Sequence, residues 1–364
     1  MSSEVSPVLQ PPRGHAAAIE NLWALARIGR LPHGLFFQGP SGIGKYAAME
    51  WLARGLLCQN GPGAPCGSCG PCKRLAVGNH PDVLRLDPVA EDQEEMTIFF
   101  IAERDDRPPT AYQGVSVEDF LSLRAGEGGW RIVLMRETER MNESAQNAFL
   151  KTLEEPSPNV LLAMECGRPG ALLDTIRSRV VEVGLHALTE DDTRAVLAEH
   201  DIQPEEAALL ARMGEGSPGR ALDLREHGAL LALESMAVAF RGKRPPAVLR
   251  AELFDVEGKF SGRTATAQKR SRVTEWLDLL VGILRDHERF LAGLPEERLP
   301  LGNWASAIPA LPEALRRERL EHVLRARQDV GLNLAPETLL ERALTAVAPP
   351  LAPSRSPSRP LARP

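Results

Sequence analysis

The chain runs to 364 residues, room for two or three domains, and its 43% hydrophobic and 25% charged residues exclude a wholly disordered polymer. Lys and Arg number 43 against 49 Asp and Glu, a formal charge of −6, so nucleic acid is not held by bulk charge and any such contact has to come from a local patch. The longest unbroken apolar runs, Ala229–Leu233 and Leu279–Leu284, fall far below the ~20 residues that span a bilayer, and Met1 to Pro12 lacks a secretory leader pattern, so a cytoplasmic location is expected.

Residues 1–12, with Pro7, Pro11 and Pro12, read as a loose lead-in. From about Leu31 to Val183, short apolar runs at Gly34–Gln38, Val83–Leu86, Ile132–Met135, Val160–Met164 and Val180–Val183 alternate with helical segments. That alternation predicts an α/β domain over 13–185 with a largely parallel sheet. Gly34–Gln38 runs into Gly39-Pro40-Ser41-Gly42-Ile43-Gly44-Lys45-Tyr46 and then a helix, the strand–turn–helix context of a P-loop. Gly39, Gly42 and Gly44 would let backbone N–H groups close around phosphates, with Lys45 as a point charge beside them. The eighth position should carry the Ser or Thr hydroxyl that ligates Mg²⁺, and here it is Tyr46. The strand Ile132–Met135 should end in Asp-Glu to hold the metal and orient water, but Arg136-Glu137 follows. Two losses at one metal predict no hydrolysis in cis. ATP occupancy of the loop stays open, because a vestigial turn and a weak nucleotide site both fit.

Just past the P-loop helix, Cys58-x7-Cys66-x2-Cys69-x2-Cys72 places four thiols in a Gly/Pro-rich stretch within 58–72. Clustered cysteines in a reducing compartment favour a metal over disulfides. Four soft ligands suit tetrahedral Zn²⁺ with no position left for water, so a structural Zn²⁺ is expected. Cys166 stands alone at a strand end and reads as a small core side chain. The acids Glu91, Asp92, Glu94 and Glu95 and the stretch Thr97–Gln113, within an insertion over 87–113, are expected to form a solvated loop, and the helix between Val115 and Leu123 reads as short.

Beyond Thr189, which with Asp192 reads as a helix cap, no strand is expected. A small helical unit over 186–232 precedes a helical block over 233–347 that includes Trp276–Leu284 and Glu337–Val347, with loops at Gly242–Pro246 and Leu294–Ser306. Residues 348–364, with six prolines, three arginines and no acid, read as a disordered Pro/Arg tail.

Taken together, His33, the P-loop, the four-cysteine insertion, Asn79-His80-Pro81-Asp82 and Glu139-Arg140-Met141-Asn142 resemble the bacterial clamp-loader branch of the AAA+ ATPases. The most specific run is Ser144-Ala145-Gln146-Asn147-Ala148-Phe149-Leu150-Lys151-Thr152-Leu153-Glu154-Glu155-Pro156, where Ala145, Ala148, Phe149, Thr152 and Leu153 share one helical face. Leu172–Val180 is similar to the Ser-Arg-Cys motif, with Val180 in the Cys position, and Gly216–Leu222 is similar to the lid motif, with Gly219 where working relatives carry an Arg. Leu284–Asp286 and Asn333–Glu337 are weaker echoes of the same family.

The resemblance implies an AAA+ P-loop domain with a zinc module, then a lid over 186–232 and an all-helical collar over 233–347. Tyr46 and Arg136, with Cys166-Gly167 in place of a polar sensor, imply the family's non-hydrolysing companion rather than a working tau/gamma ATPase. Such a subunit has no turnover of its own and serves a DNA polymerase holoenzyme. Arg179, with Ser178 beside it, would be an arginine finger offered in trans to a neighbour's ATP, an effect worth ~10³–10⁵ in rate. From spacing alone, Arg179 reads better as a surface ion-pair residue; only Thr175-Ile176 and Ser178, taken with the resemblance, reverse that, and Arg177 serves as its control. The partners implied are tau/gamma and delta subunits, the sliding clamp, and primed DNA through the assembled complex. An active motor ATPase and an unrelated zinc-dependent nucleic-acid module are the competing readings.

Overall fold

The structure is a computed structural model and describes residues 11–127, 129–242, 244–262, 264–332 and 334–349. The expected lead-in over 1–12, except its last two residues, lies outside the described residues, as do Asn333 and all but the first two residues of the expected tail over 348–364. The chain divides into two compact units: one extends to Asp201 and includes Gly216–Gly219, the other comprises Ile202–Glu215 and the chain from Arg220 on.

In the first unit the order is α1 (Ala16–Arg27), β1 (Gly34–Gln38), α2 (Lys45–Leu57), α3 (Gly70–Ala76), β2 (Val83–Leu86), α4 (Val117–Ser122), β3 (Arg131–Met135), α5 (Glu143–Glu154), β4 (Val160–Cys166), α6 (Asp174–Arg177), β5 (Val181–Gly184) and α7 (Glu190–Ala198). The five strands form one parallel sheet in the order β2-β3-β4-β1-β5. Each apolar run expected to be a strand is one, to within two residues at either end. Side chains alternate across the sheet. Leu35, Phe37, Ile132, Leu134, Leu161 and Ala163 pack beneath α1 and α2, while Phe36, Val133, Met135, Leu162 and Met164 pack with Phe149 and Leu153 of α5. Burying both faces requires the nearly continuous apolar strands that the sequence supplies.

Local signals fix several helix starts. Asn142 Oδ1 accepts from Ala145 N at 3.0 Å and Thr189 Oγ1 from Asp192 N at 3.0 Å, each satisfying an otherwise unpaired helical N–H. α4 is short, as expected, and Cys166 is buried at the end of β4.

The expected solvated loop over 97–113 is corrected in part. Met96, Phe100, Ile101 and Tyr112 are buried in the same core as α5, the Phe100 and Tyr112 rings stack at 3.9 Å, and Met96 bridges to Met141. Four apolar side chains outweigh the polar composition between them, while the acids and residues 103–106, 108–110 and 113 stay in water.

The second unit is helical among its described residues: α8 (Pro204–Met213), α9 (Pro218–Glu226, whose first two residues count with the first unit), α10 (Ala229–Phe240), α11 (Pro246–Asp255), α12 (Ala265–Leu291), α13 (Gly302–Ala305), α14 (Glu313–Asp329) and α15 (Pro336–Val347). Trp276, Leu280 and Ile283 of α12 and Leu340 and Leu344 of α15 are fully buried. Two expected loops are corrected in part. Pro246 opens α11, the first-turn position where a missing N–H costs nothing, and Gly302–Ala305 within 294–306 is helical. No helix among the described residues is long and apolar enough to cross a membrane.

Candidate functional site

The P-loop expected at Gly39–Tyr46 connects β1 to α2, with Gly42 and Gly44 in the left-handed region at φ +74° and +94°. Gly39 admits no side chain, because a Cβ would lie 2.3 Å from Leu185 O. The loop is pinned by distant parts of the same unit: Gly219 N donates to Gly42 O and Ser217 Oγ to Ser41 O, both at 2.8 Å, and His15 Nε2 meets Ile43 O at 2.8 Å. A Cβ at Gly219 would come within 2.7 Å of Gly42 Cα. Close backbone packing therefore occupies the position where the resemblance placed an Arg.

Lys45 is only 2% exposed, and its ammonium is spoken for. It donates to Pro40 O at 2.9 Å and Gly39 O at 3.2 Å, with Glu165 Oε1 at 3.6 Å. The parallel register that sets Phe37 beside Glu165 brings this acid to the loop. Burial pushes the Glu165 carboxyl above its ordinary value, and Lys45 and then Arg136 pull it back.

The two unexpected residues touch each other. The Arg136 guanidinium carbon lies 4.9 Å from the centre of the Tyr46 ring, a cation–π contact. Arg136 also donates to Asp87 Oδ2 at 2.8 Å, and its Nε is 3.6 Å from Glu165 Oε2, an ion pair too long for a hydrogen bond. The Tyr46 hydroxyl donates to Glu50 Oε1 at 3.2 Å, and Glu50 takes a two-pronged contact from Arg85 at 2.6 and 3.2 Å. Glu137, the acid that would orient water, has left-handed backbone (φ 46°) and pairs with Arg140. Glu165, Asp87, Glu50 and Arg85 escaped the sequence reading; an acid inside the otherwise apolar β4 was the one available signal.

Arg179 and Ser178 follow α6. Gln146 of α5 holds the approach to that helix, its Oε1 accepting from Leu173 N at 2.7 Å and its Nε2 donating to Ala171 O at 3.2 Å. Arg179 is exposed, donates to Thr175 O at 2.9 Å and pairs with Glu154 Oε1 at 2.7 Å. Ser178 Oγ donates to Thr175 O at 3.0 Å. Arg177 pairs with Asp174 and Glu182 at 3.5 and 3.9 Å.

The four expected thiols converge. Cys58 ends α2, Cys69 caps α3, Cys72 lies in its first turn, and Cys66 comes from the exposed loop between them. Their sulfurs all lie within 4.8 Å of one another. A tetrahedron of ~2.3 Å Zn–S bonds has sulfurs about 3.8 Å apart, so the cluster can hold a metal ion and is compatible with zinc. Hydrogen bonds from the backbone N–H groups of Ser68 and Cys69 lower the Cys66 thiol to about 6, whereas burial raises Cys72 to about 12.

Residues 14–189 match the family model described as DNA polymerase III, delta subunit. DNA polymerase III subunit delta' of Pseudomonas aeruginosa is 38% identical over 151 residues, 41% of this chain and 42% of that protein. The matched region is similar to the delta-prime subunits of DNA polymerase III. Subunit tau of Escherichia coli is 32% identical over 207 residues, 55% of this chain and 29% of that protein. The chain thus spans less than half the length of either relative. A gamma-subunit-related protein of Thermotoga maritima superposes with a TM-score of 0.48 at 17% identity, over 90% of this chain and 98% of that one. The phosphate loop, the cysteine cluster and Arg179 all fall inside the matched residues 14–189.

Proposed function

We propose that the chain is a non-hydrolysing, delta-prime-type subunit of a cytoplasmic DNA polymerase III clamp loader. In this reading it joins tau/gamma and delta subunits in a ring, with 186–232 as lid and 233–347 as collar. It offers Arg179 to a neighbour's ATP and helps place the sliding clamp on primed DNA. The observation that carries the proposal is the Arg136 guanidinium lying against the Tyr46 ring and paired to Asp87 and Glu165. A fixed cation at the point where a metal's carboxylate would stand repels Mg²⁺, and Lys45 is already committed to Glu165 and two carbonyls. The four cysteines would hold a structural Zn²⁺ that takes no part in hydrolysis.

Arg179 suits its role because it is exposed and its present partner is a surface carboxylate, a pair worth only ~0–1 kcal/mol. A phosphoryl group in a water-poor interface competes easily with that. In a reconstituted ring, Arg179→Ala is expected to lower DNA-stimulated ATPase by at least ~10³-fold while the subunit still assembles, and Arg177→Ala to leave it near wild type. Unchanged stimulation with Arg179→Ala rejects the finger. The tau relative keeps a hydrolysing tau/gamma-type reading in play. Metal-dependent turnover by the lone chain, abolished by Lys45→Ala, would establish that reading instead.

A further inference from the structure

Charge is spread unevenly along this acidic chain. Residues 241–272 carry nine Lys or Arg against three Asp or Glu, a local charge of +6 within a total of −6. The second unit folds part of that stretch into an open groove of about 780 Å³ walled by α11, the 256–262 loop and the first half of α12. Arg250, Lys259, Lys269 and Arg272 line it against two carboxylates, Asp255 and Glu337.

The cations are not equally occupied. Lys269 pairs with Glu337 at 2.7 Å and Arg250 with Glu341 at 3.5 Å. Arg272 lies 4.6 Å from the centre of the Phe260 ring and donates to Phe254 O, with Asp255 near enough to favour its charge without a direct ion pair. Lys259 is exposed and has no ion pair among the described residues. Phe254 and Phe260 add half-buried aromatic wall between the charges, the Phe260 ring itself stacked on His227 at 4.6 Å and met by Arg272.

We propose that this groove binds single-stranded nucleic acid through its phosphodiester backbone. A basic groove that tracks phosphates and carries aromatic side chains is the arrangement by which proteins hold single strands without reading sequence. The aromatic wall favours a nucleic acid over an acidic peptide, which would need the cations alone. The groove lies wholly in the second unit and does not depend on the arginine-finger reading.

The test is fluorescence anisotropy of the full chain with a labelled oligothymidylate across a salt series. Binding should weaken as salt rises, log K falling against log salt with a slope of about −0.7 for each phosphate the groove neutralises. Lys259→Glu is on an exposed loop and should cut affinity at least tenfold. Lys269→Ala should weaken binding with a shallower salt slope, while Lys151→Glu, an exposed lysine of the first unit, should change neither. Oligothymidylate that fails to bind, that binds both groove variants as it binds wild type, or that loses as much affinity with Lys151→Glu overturns the proposal. Displacement by polyglutamate at equal charge concentration also overturns it, in favour of an acidic peptide.

Discussion

At Arg136 a positive charge sits among acids that the apolar sheet would otherwise leave repelling one another. Asp87 and Glu165 both face its guanidinium, and the Tyr46 ring covers one side of it. Arg136→Ala should therefore destabilise the first unit by about 1 kcal/mol, a modest figure because the side chain keeps 41% of its surface in solvent. The deficit should depend on pH. Glu165 has a folded pKa raised above its ordinary 4.5, so it resists folding only once ionised, and its penalty grows as pH rises from 4.5 through the folded pKa. Arg136 is one of the charges that limit that rise, so the part of the cost of its loss that acts through Glu165 should be small near pH 4.5 and largest above the Glu165 pKa, in addition to the lost Asp87 contact. Urea titrations of wild type and variant at both ends of that window give the answer, and an equal deficit at each end would rule out the Glu165 contact as the cause. The sequence shows Tyr46 and Arg136 as oddities but not as a pair. What joins them is sheet register, which sets β3 and β4 side by side and carries Glu165 to the loop, and no local pattern in the sequence encodes that.

Elements were legible where one local signal decided them. The five strands announced themselves as short apolar runs between helical stretches, and the start of α7 by its Thr189 cap. The 97–113 stretch misleads because its apolar residues follow neither a helical nor a strand period and stand among acids. Its packing depends on α5 and on Tyr112 stacking on Phe100, contacts that appear only after the chain has folded back on itself. A clear consequence separates a buried segment from a solvated one. Phe100→Ala should cost about 3–5 kcal/mol, the range for deleting a fully buried phenylalanine, whereas a residue in a loose loop would cost almost nothing. Guanidinium denaturation of this one variant is sufficient, and a loss under about 1 kcal/mol would return the segment to the solvent. The four thiols were legible for the opposite reason: two-residue spacings in Gly/Pro-rich turns leave few ways to avoid convergence.

For the molecule as a whole, the division into two compact units has a thermodynamic consequence. The cysteine cluster belongs to the first unit alone, tied there by Cys58 at the end of α2 and by Arg27 of α1, which donates to Pro62 O at 3.0 Å. The second unit rests on its own buried set around Trp276, Leu280 and Leu340. Units with separate cores need not unfold together, so a single two-state transition is not expected. Scanning calorimetry of the zinc-loaded chain should resolve two transitions or one broadened beyond a two-state fit. Metal bound only to the folded state stabilises by mass action, and about 1 kcal/mol moves the midpoint of a unit this size by roughly 2–4 °C. Removing zinc with a chelator should therefore lower one transition by several degrees and leave the other in place, and Cys69→Ser should reproduce that shift without chelator. If both transitions moved together by the same amount, the cluster would be coupled to the entire fold and the two units would not be energetically separate.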